Sequence, residues 1–246
     1  MIRAVDSGTL PLLRRFCDAV RGPYACRIRS LADAYGTGYP FARFWIQESG
    51  GQITAAVSAL DSSYCLCAVP ESDPGELSSF WRMSGGSELA AGKADLERLS
   101  LTAPEQAVLL CTEPALHRIP PGYTAEENPS PLKLYPLLKS CEGPGFSVPA
   151  ADSFYPDLSH RMRHGTARSL ALLDDGGAPA ACALTSSETE WGAVISAVAC
   201  RPDSRGRGLA SAAVSLLAQG LSRPVYLFCL PSLVPFYLRL GFSPIS

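Results

Sequence analysis

The residues best suited to do chemistry stand in one short run, Arg205-Gly206-Arg207-Gly208-Leu209-Ala210. Arginine offers a phosphate both charge and paired N–H donors. Glycine lets a ligand approach the main chain with no Cβ in the way. The run follows an apolar, strand-like segment, Val198-Ala199-Cys200, and a Pro202-Asp203-Ser204 turn. It opens a segment in which Leu209, Ala212, Ala213, Leu216 and Leu217 recur at helical spacing. A helix start leaves backbone N–H groups unpaired and carries the positive end of the helix dipole. Strand, Arg/Gly turn and helix start together therefore predict a pyrophosphate cradle. Gly-Arg-Gly alone would fit a solvated strand–helix turn equally well; the surrounding pattern favours phosphate. No Gly-Lys-Ser/Thr follows, so this is not a Walker P-loop, and the dinucleotide fingerprint GxGxxG fails at Ser211.

The elements that must position this run occur twice. Ala42–Gly51 and Ala167–Gly177 are both apolar runs that open with Ala-Arg and close on an acidic residue and Gly-Gly. Each is followed by a second apolar run, Ile53–Leu60 or Ala178–Thr185, which reads as a β-hairpin. A third strand follows in each half, Tyr64–Val69 and Ala193–Cys200. Ala107–Cys111 then matches Val225–Cys229, and Gly122-Tyr123 matches Gly241-Phe242. The chain reads as a tandem of two α/β domains, 1–128 and 129–246, divided near the Pro-rich stretch Pro120–Pro131. Phe80–Met83 and Ser84–Leu101 read as successive helical stretches of the first domain, and Ser153–Gly165 as a helix of the second.

Composition narrows the function. The chain has 246 residues, 47% hydrophobic and 18% charged, with a formal charge of −2. That composition is globular and argues against a general nucleic-acid or acidic-membrane binder. No apolar run approaches the roughly 20 residues of a membrane span, and Asp6, Arg14 and Arg15 interrupt any signal-like start. The nine cysteines are scattered without CxxC spacing, and the three histidines are too few for a His-built metal site. These features predict a protein of the reducing cytoplasm, with no disulfide and no metal.

Arg205-Gly206-Arg207-Gly208-Leu209-Ala210 resembles the Gln/Arg-x-x-Gly-x-Gly/Ala motif of the GCN5-related N-acetyltransferase (GNAT) superfamily. The preceding strand with Pro202 and the tail Phe236-Tyr237-Leu238-Arg239-Leu240-Gly241-Phe242 are also similar to that family. The strong resemblance covers about residues 165–246; residues 1–128 share only the hairpin and strand order. It implies two GNAT-like domains, each a mixed, mostly antiparallel sheet flanked by helices. It also implies acetyl-CoA as co-substrate, its pyrophosphate on the backbone amides of Arg205, Gly206, Arg207, Gly208, Leu209 and Ala210. Its pantetheine arm would pair with backbone near Val198 and Cys200, in a gap between that strand and Val225–Cys229. The first half has Glu71, Asp73 and Glu76 where the second has Arg201, Arg205 and Arg207, so it reads as a degenerate copy that does not bind CoA.

Acetyl transfer to an amine needs a neutral amine, a polarised thioester and a proton for the leaving thiolate. The resemblance puts Tyr237 where relatives carry a general-acid tyrosine; packing against Phe236 and Leu240 is the alternative. The strand Gly192–Ser196 has no carboxylate where some relatives carry the base. Glu190 is the candidate base, with Glu188 beside it, each acting through water. His160 and His164, one helical turn apart, and Asp157 could line the acceptor site, though a surface helix explains them as well. The chain runs only four residues past Phe242, so either the other half completes the sheet or the acceptor site is open. The expected activity is N-acetylation of a small-molecule or peptide amine. The alternatives are a non-catalytic CoA-sensing module and another phosphate-ligand enzyme sharing the loop.

Overall fold

Both Gly-Gly turns close hairpins, as their apolar flanks predict. The computed structural model describes residues 1–143 and 145–245, and the chain divides into two compact units, Met1–Pro104 and Glu105–Ser246. Among the described residues no helix is long and apolar enough to cross a membrane. All nine cysteines are free thiols.

In the first unit the elements run β1 (Ile2–Ala4), α1 (Leu10–Val20), α2 (Gly22–Tyr35), β2 (Ala42–Ser49), β3 (Gln52–Leu60), β4 (Ser63–Ala68), α3 (Pro74–Met83), β5 (Glu88–Ala90) and α4 (Lys93–Arg98). They form a five-stranded sheet in the order β1-β2-β3-β4-β5. Only β4 and β5 are parallel, paired from Ser63↔Glu88 to Cys65↔Ala90. Leu77 of α3 and Leu96 and Leu99, in and after α4, pack with Val57, Tyr64 and Leu66 of the sheet. Ser84–Leu101 is therefore not one helical stretch. Its first half pairs with the free edge of β4, which satisfies backbone groups that an isolated short helix would leave open.

The second unit continues with β6 (Ala107–Cys111), β7 (Thr124–Glu127), α5 (Pro131–Ser140), α6 (Ala151–Arg163), β8 (Ser169–Leu173), β9 (Pro179–Thr189), β10 (Gly192–Cys200), α7 (Leu209–Gln219), β11 (Val225–Cys229), α8 (Val234–Leu238) and β12 (Ser243–Pro244). Its seven strands are ordered β12-β6-β11-β10-β9-β8-β7. α7 covers one face through Leu209, Ala213 and Leu217, packed with Leu172, Ile195 and Leu227. Leu134 and Leu138 of α5 and Leu158 of α6 cover the other, against Ala171, Cys182 and Ala199.

Two expectations are corrected here. Ala107–Cys111 is not the first unit's counterpart of Val225–Cys229. The two runs pair with each other, antiparallel, from Val225↔Cys111 to Cys229↔Ala107; the counterpart in the first sheet is β5. Gly122-Tyr123 leads into β7, whereas Gly241-Phe242 follows α8, so that match is not structural either. The compact units consequently divide at Pro104/Glu105 rather than between residues 128 and 129, because β6 and β7 are hydrogen-bonded into the second sheet. This also answers the short chain end. The last strand is a stub of two residues, Ser243↔Leu110 and Pro244↔Leu109. Ile245 N–H adds one bond to Val108 O at 3.0 Å, and Ser246 lies outside the described residues. The strand position beside β11 is filled from upstream by β6, whose apolar residues suit a place between two neighbours.

Candidate functional site

The cradle begins where β10 ends. A short 3-10 turn, Pro202–Ser204, leads into Arg205. Gly206 and Gly208 have φ of +75° and +81°, a region that side-chain-bearing residues rarely adopt. A Cβ on either would meet no atom within 4 Å, so the surface above both is open. Gly208 caps α7 and supplies no side-chain hydrogen bond. The first-turn N–H groups of α7 thus have no side-chain cap and face an approachable surface. Leu209 is buried and anchors the helix start, while Ala210 is half-buried.

The arginines divide by partner. Arg201 is held by Asp174 at 2.9 Å and Asp203 at 2.7 Å. Its guanidinium bond keeps the Asp174 carboxyl below the usual carboxylate range. Arg205 and Arg207 are exposed, and neither forms a salt bridge among the described residues: Arg205 Nε donates to Cys200 O at 3.2 Å and Arg207 Nη1 to the Tyr123 hydroxyl at 3.3 Å. Their charges are available to an anion, whereas that of Arg201 is neutralised.

Beyond the cradle the sheet opens. β10 and β11 pair only from Ala193↔Val225 to Ile195↔Leu227, although β10 continues to Cys200 and β11 to Cys229. The separation begins at a double irregularity, where Ser186 on β9 and Ser196 on β10 both drop out of the ladder. Past it, Arg201 N–H bonds Ala180 O on β9 at 2.8 Å. Strand groups alternate sides, so the backbone N–H and C=O of Val198 and Cys200 face the gap. The Cys200 carbonyl is met there by Arg205 Nε and, at 3.3 Å, by the Cys141 thiol. The segment after α5 thus reaches one lip of the gap through Cys141. It reaches the other through Gly145, which packs close against Leu230 just after β11.

Tyr237 of α8 is 7% exposed and belongs to the core on the α7 face. Its ring meets Phe236 and Phe242 edge-on, with centroids 4.9 and 5.8 Å away. Burial, then the neighbouring Cys229 thiol, pushes its phenol well above the ordinary tyrosine pKa. The phenol is neutral at physiological pH.

No carboxylate among the candidates reaches the gap. Glu190 is exposed in the β9–β10 turn. From Gly192, where β10 leaves that turn, to Ser196 is about 13 Å along the strand at about 3.3 Å per residue, so Glu190 lies at the far end of the paired stretch from the gap. Glu188 is buried and fully engaged. Arg168 donates to both its oxygens at 2.8 to 3.1 Å, Arg223 to Oε2 at 2.9 Å and Thr185 to Oε1 at 2.7 Å. It is a structural ion pair, not a base acting through water. On α6 the His160 and His164 rings stack at 4.1 Å, and Asp157 binds Arg161, whose Nη1 donates to Ser186 O at 2.9 Å. No group of three or more potential metal ligands occurs among the described residues. Sequence reasoning missed Ser196, Cys141 and Tyr123. No local signal marks a bulge, and the other two reach the site only through the fold.

The first unit fills the matching region with its own chain. Asp73 caps α3, accepting from Gly75 N–H at 2.9 Å and Glu76 N–H at 3.1 Å. Arg98, at the end of α4, donates to the carbonyls of Val69, Pro70 and Ser72. The helix start that is open in the second unit is here occupied by a carboxylate, and the loop before it by a guanidinium.

A mixed sheet parted between two parallel strands, with an uncapped, arginine-flanked helix start at the mouth, is the arrangement that the resemblance to GNAT acetyltransferases implies. Residues 132–242, all within the second unit, match the Acetyltransferase (GNAT) family. A search of curated proteins finds no match. Among solved structures, the tandem GNAT protein from the clavulanic acid biosynthesis pathway is similar with a TM-score of 0.60 at 14% identity, covering 99% of this chain and 95% of that one. A GCN5-related N-acetyltransferase from Sphaerobacter thermophilus has a TM-score of 0.60 at 17% identity, covering 100% and 92%. One from Kribbella flavida has 0.59 at 15%, covering 94% and 91%. At these identities the likeness is one of fold, and it extends over both units.

Proposed function

We propose that the second unit binds acetyl-CoA and transfers its acetyl group directly to an amine of a small molecule or peptide. The observation that carries this reading is the pairing of an open helix start at Gly208 with off-ladder backbone at Val198 and Cys200. The amides of Arg205 to Ala210 hold the pyrophosphate, with the Arg205 and Arg207 side chains adding charge. The backbone of Val198 and Cys200 pairs with the amide-bearing arm.

The co-substrate supplies an activated acetyl group. The amine nitrogen bonds to the carbonyl carbon, the C–S bond breaks, and the departing sulfur takes a proton. Tyr237 gives that proton, the attacking nitrogen releases one to solvent as the amide forms, and the phenol is reprotonated from solvent. Glu188 is locked and Glu190 lies at the far end of β10, so neither deprotonates the amine, which reacts from its neutral fraction. The nine free cysteines fit a reducing cytoplasm.

Isothermal calorimetry with CoA tests the cradle. Arg205→Glu or Gly208→Glu weakens binding by about 100-fold or more, since a charge-assisted contact is replaced by repulsion; unchanged affinity removes the cradle. The missing base also favours a second reading, a CoA-binding sensor without turnover. Acetyl transfer to any member of an amine panel decides against the sensor, and tight CoA binding without transfer decides for it.

A further inference from the structure

Ser215 is fully buried in α7, about two helical turns beyond Gly208. Its neighbours along the helix are Val214 and Leu216. A serine inside a helix ordinarily faces solvent or bonds back to the carbonyl four residues before it. The Ser215 hydroxyl instead leaves the helix and donates to the carbonyl of Ala115 at 2.6 Å, a residue 100 positions away in the chain. Ala115 lies in the loop that follows β6.

The connection continues into α8. Ala115 N–H donates to Leu240 O at 2.9 Å. The N–H groups of Leu240 and Phe242 return to Tyr237 O at 2.9 and 3.2 Å. Gly241, with φ of +90°, approaches the same loop so closely that a Cβ there would stand 2.6 Å from Glu113 O and 3.2 Å from Ala115 N. α8 has only five residues, too few to hold a place by its own hydrogen bonds. Residues 113–115 therefore brace the end of α8 against the middle of α7.

We propose that Ser215 is a positioning residue for the acid: by holding Ala115, and through it Leu240, it fixes the Tyr237 phenol relative to the cradle at the start of α7. The proposal rests on the transfer reading above, with Tyr237 as the proton donor. Cradle and brace stand on one rigid helix, so the thioester and the phenol are placed from the same frame. Proton transfer to the departing sulfur needs that accuracy, since a misplacement of about 1 Å can cost about 100-fold in rate. The loop after β6 then serves the chemistry as well as the core.

Ser215→Ala removes the hydroxyl and keeps a good helix former. It should lower kcat about 10-fold, with CoA affinity by calorimetry within about twofold of wild type, because the cradle is two turns away. The deciding measurement is a double-variant cycle. If Ser215 acts through Tyr237, then Ser215→Ala lowers kcat no further in a Tyr237→Phe background, whereas general loosening lowers both backgrounds alike. Gly241→Ala, which presses on the brace from the other side, should show the same non-additivity. Without ligand, amide hydrogen exchange in Ser215→Ala should speed at Ala115, Leu240 and Phe242 and match wild type over residues 209–213. Undiminished kcat in Ser215→Ala, an equal fold-loss in both backgrounds, or unchanged exchange at those three amides overturns the proposal and leaves the transfer reading standing. Undiminished kcat in Tyr237→Phe alone removes the acid, and this proposal with it.

Discussion

Arg201 and Arg205 are four positions apart and have opposite fates. Arg201 is neutralised by two aspartates, and Arg205 bonds only the Cys200 carbonyl among the described residues. Residue type gives both the same charge; only partners separate them. The same holds for the acids, since Glu188 looked available and is clasped by two guanidinium groups. Tyr237 is the reverse case. Packing in the core and acting as an acid were the alternatives; the fold shows the packing, and burial raises the pKa of its phenol. Its folded pKa is raised, so the neutral form is retained below the ordinary tyrosine value of about 10 and is lost only as pH rises beyond it. Tyr237→Phe should lower kcat by about 100-fold with acetyl-CoA affinity retained. The wild-type rate should show no Tyr237-dependent fall below pH 10. A variant with undiminished kcat would remove Tyr237 from the reaction.

At the scale of elements, the site depends on a strand that the sequence assigned to the wrong neighbour. β6 and β11 are both short, apolar and Cys-terminated, and similarity of that kind reads as repetition when it is in fact pairing. Periodicity reports that a segment is buried on both faces but not which edge it joins, because backbone hydrogen bonding is the same against any partner. Leu109 of β6 is fully buried in the second unit's core. Its loss alone removes about 2 to 3 kcal/mol of apolar burial and bares the β11 edge. A fragment spanning 105–246 should therefore melt cooperatively, whereas one spanning 129–246, lacking β6 and β7, should not. Circular dichroism on heating distinguishes them, and equal melting of the two fragments would contradict the division at Pro104/Glu105.

Across the whole molecule, two units share a strand plan and differ at one helix start. In the first, Asp73 takes the N–H groups that the second leaves exposed at Gly208. One CoA per chain is the expected stoichiometry. Asp73→Lys should cost the first unit about 1 kcal/mol through its lost cap and leave CoA affinity within about twofold. Two bound equivalents, or loss of binding in that variant, would mean that the first unit is not degenerate. Much of this plan was readable in the chain alone. The paired hairpins, the glycine-rich turn into a helix start at Arg205–Ala210 and the acids of the first unit all depend on neighbouring residues, and local sequence specifies turns, helix starts and charge. The origin of β6, the bulge at Ser196, the locking of Glu188 and the meeting of Tyr123 with Arg207 were decided by the fold. Each joins segments distant in the chain, and their contacts exist only once the sheet order has brought them together.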